Sequence, residues 1–138
     1  VSERVFLDAN ILVSAAWRAQ SGLVALWQLP GIQLLMSGFA IVEADRNVSN
    51  AEQRTRLHRL VQLTEIVDEP LPRRLPAGIA LPAKDVPILL AAIDSGAEYL
   101  LTGDKDHFGK YYGQEIDGVT VLRPATYLAS RRRRPDGK

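Results

Sequence analysis

Short, uninterrupted apolar runs, each followed by a stretch with helical spacing, constrain this chain more than any other feature. Val5-Phe6-Leu7 ends at Asp8, and residues 32–36 form a second run after the turn signal Pro30-Gly31. Residues 65–67, 98–102 and 119–122 complete the series. A run with no polar alternation suits a strand buried on both faces, as in a parallel sheet. Between the runs, helical spacing covers residues 11–17 and continues through Leu23, Leu26 and Trp27 after a restart at Ser21-Gly22. Ser37 is placed to cap a helix over residues 38–47. Ser49-Asn50-Ala51-Glu52 matches a capping box for a helix that runs to about Thr64. Further helices are predicted over residues 86–94, with Gly96 as the stop, and from Pro124 to about Ala129. Five of the eight prolines fall in residues 70–87, which form either a long loop or a short helix with irregular flanks. There is no internal repeat. The alternation predicts an α/β fold, a single domain with a central parallel β-sheet flanked by helices on both faces.

Charge is distributed unevenly. The 138-residue chain suits one domain and has a net charge of +1. Residues 131–138 hold five basic groups and one acid, leaving 12 basic and 15 acidic groups in residues 1–130. The expected division is a mildly acidic folded domain over 1–130 and a basic, disordered tail over 131–138. Cysteine is absent, which excludes disulfides, thiolate nucleophiles and Cys-ligated zinc, and fits a cytoplasmic location. With only His58 and His107, a His-rich metal site is excluded as well. Any metal must rely on carboxylates, which favours hard cations such as Mg²⁺ or Mn²⁺. Residues 19–42 carry no formal charge, but Gln20, Gln28, Pro30, Gly31 and Gln33 interrupt them. This stretch reads as core and not as a membrane span. Residues 1–6 read as a strand and not as the basic start of a signal peptide.

Ligands of open parallel sheets bind at the carboxyl ends of the strands. Asp8 directly follows the first run, Asp104 follows the run ending at Thr102, and Asp106 lies two residues further. Each acid alone is as well explained as a helix cap. Glu43 sits in the mostly apolar stretch Phe39-Ala40-Ile41-Val42-Glu43-Ala44, where a buried, unpaired carboxylate is costly. Arg46 or an exposed edge would relieve it. Asp85 precedes an apolar helix and, taken alone, reads as its N-cap. Together these acids form a candidate acidic pocket whose mutual repulsion a divalent cation would remove. That chemistry points to phosphoryl transfer or phosphodiester hydrolysis.

The same residues resemble the PIN-domain family of metal-dependent ribonucleases. The matching segments are Val5-Phe6-Leu7-Asp8-Ala9-Asn10-Ile11-Leu12, residues 37–43, residues 84–92, and Leu100-Leu101-Thr102-Gly103-Asp104-Lys105-Asp106-His107-Phe108. They occur in the family's order over about residues 4–128. The whole is most similar to the toxins of bacterial VapBC-type toxin–antitoxin pairs. The resemblance implies a catalytic set of Asp8, Glu43, Asp85 and Asp104. Asp8, Asp85, Asp104 and the more variable Asp106 would hold Mg²⁺ or Mn²⁺, and Glu43 would bind it directly or through water. Asn10 and Thr102 match supporting polar positions, and Ser37 caps the helix that carries Glu43. Asp45 competes with Glu43 for the inward position, since the two point about 200° apart on a helix. The implied activity is an endoribonuclease leaving a 5′-phosphate and a 3′-hydroxyl, with RNA as substrate. An antitoxin partner and a homodimer are implied too, the apolar segment 11–36 supplying the dimer face. Lys105, Arg131, Arg132, Arg133 and Arg134 are candidate RNA contacts, against a solvated terminus with no role.

Two other readings compete. One is a different Mg²⁺-dependent phosphoryl-transfer domain, a phosphatase or receiver. Asn10 stands where a phosphatase would carry a second Asp, and Glu3 and Asp8 are poorly placed for a receiver's paired acids. The other is a non-catalytic PIN-like module that binds RNA or protein. His107 reads as a solvated turn residue, and Phe108, Tyr111 and Tyr112 as packing for the turn after Asp104. Trp17 and Trp27 read as core or as a dimer face.

Overall fold

The computed structural model describes residues 2–133 of the chain. Val5, Phe6 and Leu7 of strand β1 (Glu3–Leu7) have no exposed surface. Successive strand residues point to opposite faces, so three buried in a row require cover on both sides. On one side β1 pairs in parallel with β2 (Ile32–Ser37), which pairs with β3 (Glu65–Val67). On its other side it pairs with β4 (Tyr99–Leu101), followed outward by β6 (Val119–Leu122) and β5 (Glu115–Ile116). The order is β3-β2-β1-β4-β6-β5, parallel throughout except for β5. This is the expected α/β architecture, with an antiparallel edge strand added.

The strands are linked by α1 (Ala9–Ala16), α2 (Gly38–Asn47), α3 (Ala51–Gln62), α4 (Val86–Asp94) and α5 (Lys105–Phe108), and α6 (Pro124–Arg132) follows the last. Ser37 caps α2 by accepting from the Ala40 amide, as its position predicts. Gly96 ends α4 with φ +72°, a left-handed turn that glycine adopts without strain. The start of α3 differs from expectation by one residue. Asn50, not Ser49, is the cap, accepting from the Gln53 amide, and the Gln53 side chain accepts from the Ser49 amide in return. The overlapping Ser-Asn pair offered two registers, and burial of Gln53 against the Trp17 carbonyl selects the second.

The proline-rich segment is a loop ending in a 3₁₀ turn at Ala83–Asp85. Tyr111 pins it, donating to the Ala80 carbonyl and accepting from the Ala80 amide. Phe108 and Tyr111 are buried, and the Tyr112 hydroxyl donates to the Thr102 carbonyl, so the aromatic residues after Asp104 pack the turn as expected. Trp27 packs against the core, while Trp17 is 46% exposed. The β5–β6 hairpin, absent from the sequence reading, turns at Asp117-Gly118, both with positive φ. Asp-Gly is a strong signal for such a turn.

The last helix corrects the expected boundary at residue 130. It continues through Arg131 and Arg132. The Arg131 side chain is buried, donating to the Pro30 carbonyl at 2.6 Å with Glu3 3.5 Å away. It anchors the C-terminal helix and is not free to contact RNA. Arg132 and Arg133 are exposed, and the expectation for Arg134 and the rest of the tail falls outside the described residues. Most of the apolar segment 11–36 is spent on this core, with Ile11, Leu12, Leu26 and Leu34 to Met36 all buried. Among the described residues no helix is long and apolar enough to cross a membrane.

The α3 cap is open to a direct check. Asn50→Ala should lower unfolding stability by about 1 kcal/mol in a urea melt. Ser49→Ala should stay within about 0.5 kcal/mol of the parent. Equal losses would mean that the cap is misassigned.

Candidate active site

The chain passes from β1 to β2 and β3 on one side, then returns to build β4, β6 and β5 on the other. The topology therefore reverses between β1 and β4, and a crevice opens at their carboxyl ends. Leu7 and Leu101 are paired in register, so Asp8 and Thr102 emerge side by side. The Asp8 amide donates to the Leu101 carbonyl at 3.0 Å.

Asp8 is 4% exposed. One carboxylate oxygen accepts from the Ala9 amide at 2.7 Å. The other accepts from the Thr102 hydroxyl at 2.9 Å and the Asn10 amide group at 3.2 Å. Asn10 also accepts from the Gly103 amide, and the Thr102 oxygen accepts from the Asp104 amide. Asn10 and Thr102 thus tie the ends of β1 and β4 together around one carboxylate. Burial pushes the Asp8 carboxyl up to about 6, opposed by the hydrogen bonds from Thr102 and Ala9 and reinforced by the Asp85 and Glu43 charges.

Asp8, Asn10, Glu43, Asp85 and Asp104 line one cleft of about 410 Å³. The four acids of the expected catalytic set come from four different segments of the chain. Glu43 is the acid of α2 that faces the cleft, whereas Asp45 turns away to Arg54 and His58 of α3 at 3.1 and 3.3 Å. The helical angle between the two positions makes these fates exclusive. Arg46 is not an ion-pair partner of Glu43 among the described residues; both border a second hollow beside Phe39.

Asp85 does not act as the cap that its position suggests. It has helical dihedrals, and its side chain makes no capping bond. Its carboxylate, 5% exposed, faces Asp104 and His107 instead. Burial raises its pKa, with His107 and Lys84 opposing and Asp104 reinforcing the shift. His107, expected to be solvated, places Nδ1 2.9 Å from Asp85 Oδ2 and 2.7 Å from Asp104 Oδ2. Despite these distances, Asp85 Oδ2 and His107 Nδ1 are both buried without an aligned hydrogen bond among the described residues. Distance alone makes a close approach, but a hydrogen bond needs direction as well.

Asp106, expected beside the metal ligands, is exposed on α5 and does not line the cleft. Lys105 is exposed next to it and does not line the cleft either. Lys84, Ser14 and Asn47 do line the cleft and were not anticipated. Lys84 neighbours Asp85 in the chain, and His107 lies three residues after Asp104, one helical turn on. Those spacings are the signals that could have found them.

The donor set fits a divalent cation. Asp85, Asp104 and His107 each offer an atom within 4.8 Å of the others. The separations of 2.7 and 2.9 Å from Nδ1 to the two oxygens resemble those of adjacent ligands around a small cation. For metal–oxygen lengths of 2.0–2.1 Å, neighbouring octahedral ligands lie about 3 Å apart. The unpartnered Asp85 oxygen is the kind of buried atom that a cation would satisfy.

No family model matches the sequence, and no curated protein matches it. Among solved structures, the chain is similar to one from the VapBC2 complex of Rickettsia felis bound to a promoter DNA fragment. The TM-score is 0.62 at 18% identity, over 87% of this chain and 98% of the other. It is similar as well to a chain of FitAB bound to an IR36 DNA fragment, with TM-score 0.60 and 19% identity over 87% and 94% of the two chains. FitAcB from Neisseria gonorrhoeae gives 0.55 and 20% over 88% and 98%. The architecture is PIN-like, in agreement with the resemblance in the sequence.

The Asp8 environment sets a pH dependence. Folding raises this carboxyl from 3.8 to about 6, so between those values the folded chain keeps a proton that the unfolded chain releases. The stabilisation is full below pH 3.8 and is lost as pH rises through about 6. In metal-free buffer Asp8 should cost roughly 3 kcal/mol of stability between pH 4 and pH 7. Asp8→Asn should flatten that limb in urea melts across pH. A variant profile parallel to the parent would contradict the assignment.

Proposed function

We propose that this chain is a divalent-cation-dependent endoribonuclease, the toxin component of a toxin–antitoxin pair. The observation that carries the reading is the convergence of Asp8, Glu43, Asp85 and Asp104 on one cleft at the sheet's reversal point. An acidic cleft repels phosphate unless a cation sits in it, and Lys84 alone does not offset four carboxylates.

Asp8, Asp85 and Asp104 would hold Mg²⁺ or Mn²⁺, with Glu43 placed to bind it directly or through water. When bound there, such a cation would supply activation of water at neutral pH and charge stabilisation on the leaving oxygen. Asn10 and Thr102 orient Asp8 by filling both lone-pair directions of one oxygen. Lys84, at the cleft wall, is placed to receive a phosphate oxygen of the substrate. Arg132 at the end of α6 and Arg133 just after it, both exposed, offer sequence-independent phosphate contacts.

The VapBC2 and FitAB structures are of two-component complexes, and we infer a protein partner for this chain as well as self-association. A groove beside the cleft carries the apolar residues Val13, Trp17, Leu23 and Leu128 between Arg18 and Arg132. It offers exposed apolar surface to such a contact. The competing phosphatase reading is weakened by Asn10, whose side chain is engaged by Gly103 and Asp8 as a brace.

RNA cleavage should require Mg²⁺ or Mn²⁺, cease in EDTA, and be lost in Asp8→Asn, as followed on a labelled RNA by gel. Cleavage that survives EDTA or the substitution would end this reading. Calorimetric uptake of Mg²⁺ by the parent chain is expected, and its absence would favour a binding module. Sedimentation at micromolar concentration should show a dimer, and a strict monomer would remove the self-association.

A further inference from the structure

Resting on the cation-dependent reading, we propose that His107 is a nitrogen ligand of a cation held by Asp85 and Asp104 and tilts the site from Mg²⁺ towards divalent transition metals. The juxtaposition is specific. Asp104 caps its own short helix, its Oδ1 accepting from the His107 amide at 3.2 Å. That bond holds the histidine backbone in place, and the ring folds back so that Nδ1 meets the second Asp104 oxygen. Phe108, fully buried beside it, fixes the same turn against the core. The ring is delivered to Asp85 and Asp104 by packing and not by chance exposure.

The unsatisfied atoms point the same way. Asp85 Oδ2 and His107 Nδ1 touch at 2.9 Å, yet neither has an aligned hydrogen bond among the described residues. A buried polar atom left unmatched is destabilising, so two in contact need a shared explanation. A cation contacting both atoms and Asp104 Oδ2 provides one. Carboxylate oxygens alone suit Mg²⁺, which demands oxygen ligands and dehydrates reluctantly. An imidazole nitrogen in the set favours softer dications, by ligand type and not by size. His107 therefore takes the place that the sequence reading gave to Asp106.

The rival for the same geometry is a protonated ring acting as a fixed positive charge between two carboxylates. In that case the ring opposes the metal, and removing it improves binding. Mn²⁺ is the probe that separates the two. Pulsed EPR of Mn²⁺ bound to the full chain should show coupling to a ¹⁴N nucleus. The coupling should persist in His58→Gln, the control for the other histidine, and vanish in His107→Gln. By calorimetry, His107→Gln should weaken Mn²⁺ binding at least about tenfold and Mg²⁺ binding much less. Bound Mn²⁺ that depends on Asp8 but shows no ¹⁴N coupling would overturn the ligand assignment alone. Tighter Mn²⁺ binding by His107→Gln would overturn it too, in favour of the fixed charge. No Mn²⁺ uptake by the parent chain would overturn both this inference and the cation-dependent reading beneath it.

Discussion

A carboxylate removed from water must be held by hydrogen bonds, and the Asp8 side chain sets that requirement for this fold. It is buried where β1 ends, and its oxygens are met by the Ala9 amide, the Thr102 hydroxyl and the Asn10 side chain. Two of those donors lie close in the chain. The third arrives from β4, 94 residues away, only because Leu7 and Leu101 are in register. A one-residue slip would send Thr102 to the opposite face and leave the acid short of a donor. The crossing of the chain between β1 and β4 therefore brings these two strand ends together and creates the crevice in which their acids meet.

Around that carboxylate the electrostatics are one-sided. Desolvation and the neighbouring charges of Glu43 and Asp85 push the Asp8 pKa up, and the same forces act on Asp85 through Asp104. Lys84 on the cleft wall and the His107 ring beside Asp85 oppose the shift on Asp85. The folded protein holds an acidic site at some cost in the absence of a counter-charge. Such strain is more often a feature of working sites than of structural ion pairs. The basic C-terminal region is not a separate element in the way that charge counting suggests. Its first residue, Arg131, is built into the fold through Pro30 and Glu3, and the exposed positive charge begins at Arg132.

Much of the architecture was legible because it rests on short-range physics. Apolar runs marked β1, β2 and β6, Ser37 marked the start of α2, and Gly96 marked the end of α4. The misreadings also had local causes. Ser49 and Asn50 are both good caps, and only the docking of Gln53 on Trp17 chose between them. The two-residue strand β5 is too short for periodicity to register, although its Asp117-Gly118 turn was visible. Asp85 occupies a capping position by sequence, but its helical dihedrals turn the carboxylate away from the orphan amides and into the cleft.

By itself the sequence determined the alternation of strands and helices, the acids at the strand ends and the absence of thiol chemistry. Those follow from residue type and spacing alone. Tertiary structure decided which acids meet. It turned Glu43 inward and Asp45 towards α3, left Asp106 outside, brought Lys84 to the cleft and His107 against Asp85 and Asp104, and buried Arg131. The reason is that spacing along the chain fixes only the angle between side chains on one element. Which neighbour each angle faces depends on packing between segments dozens of residues apart, and that packing is set by burial of the whole core.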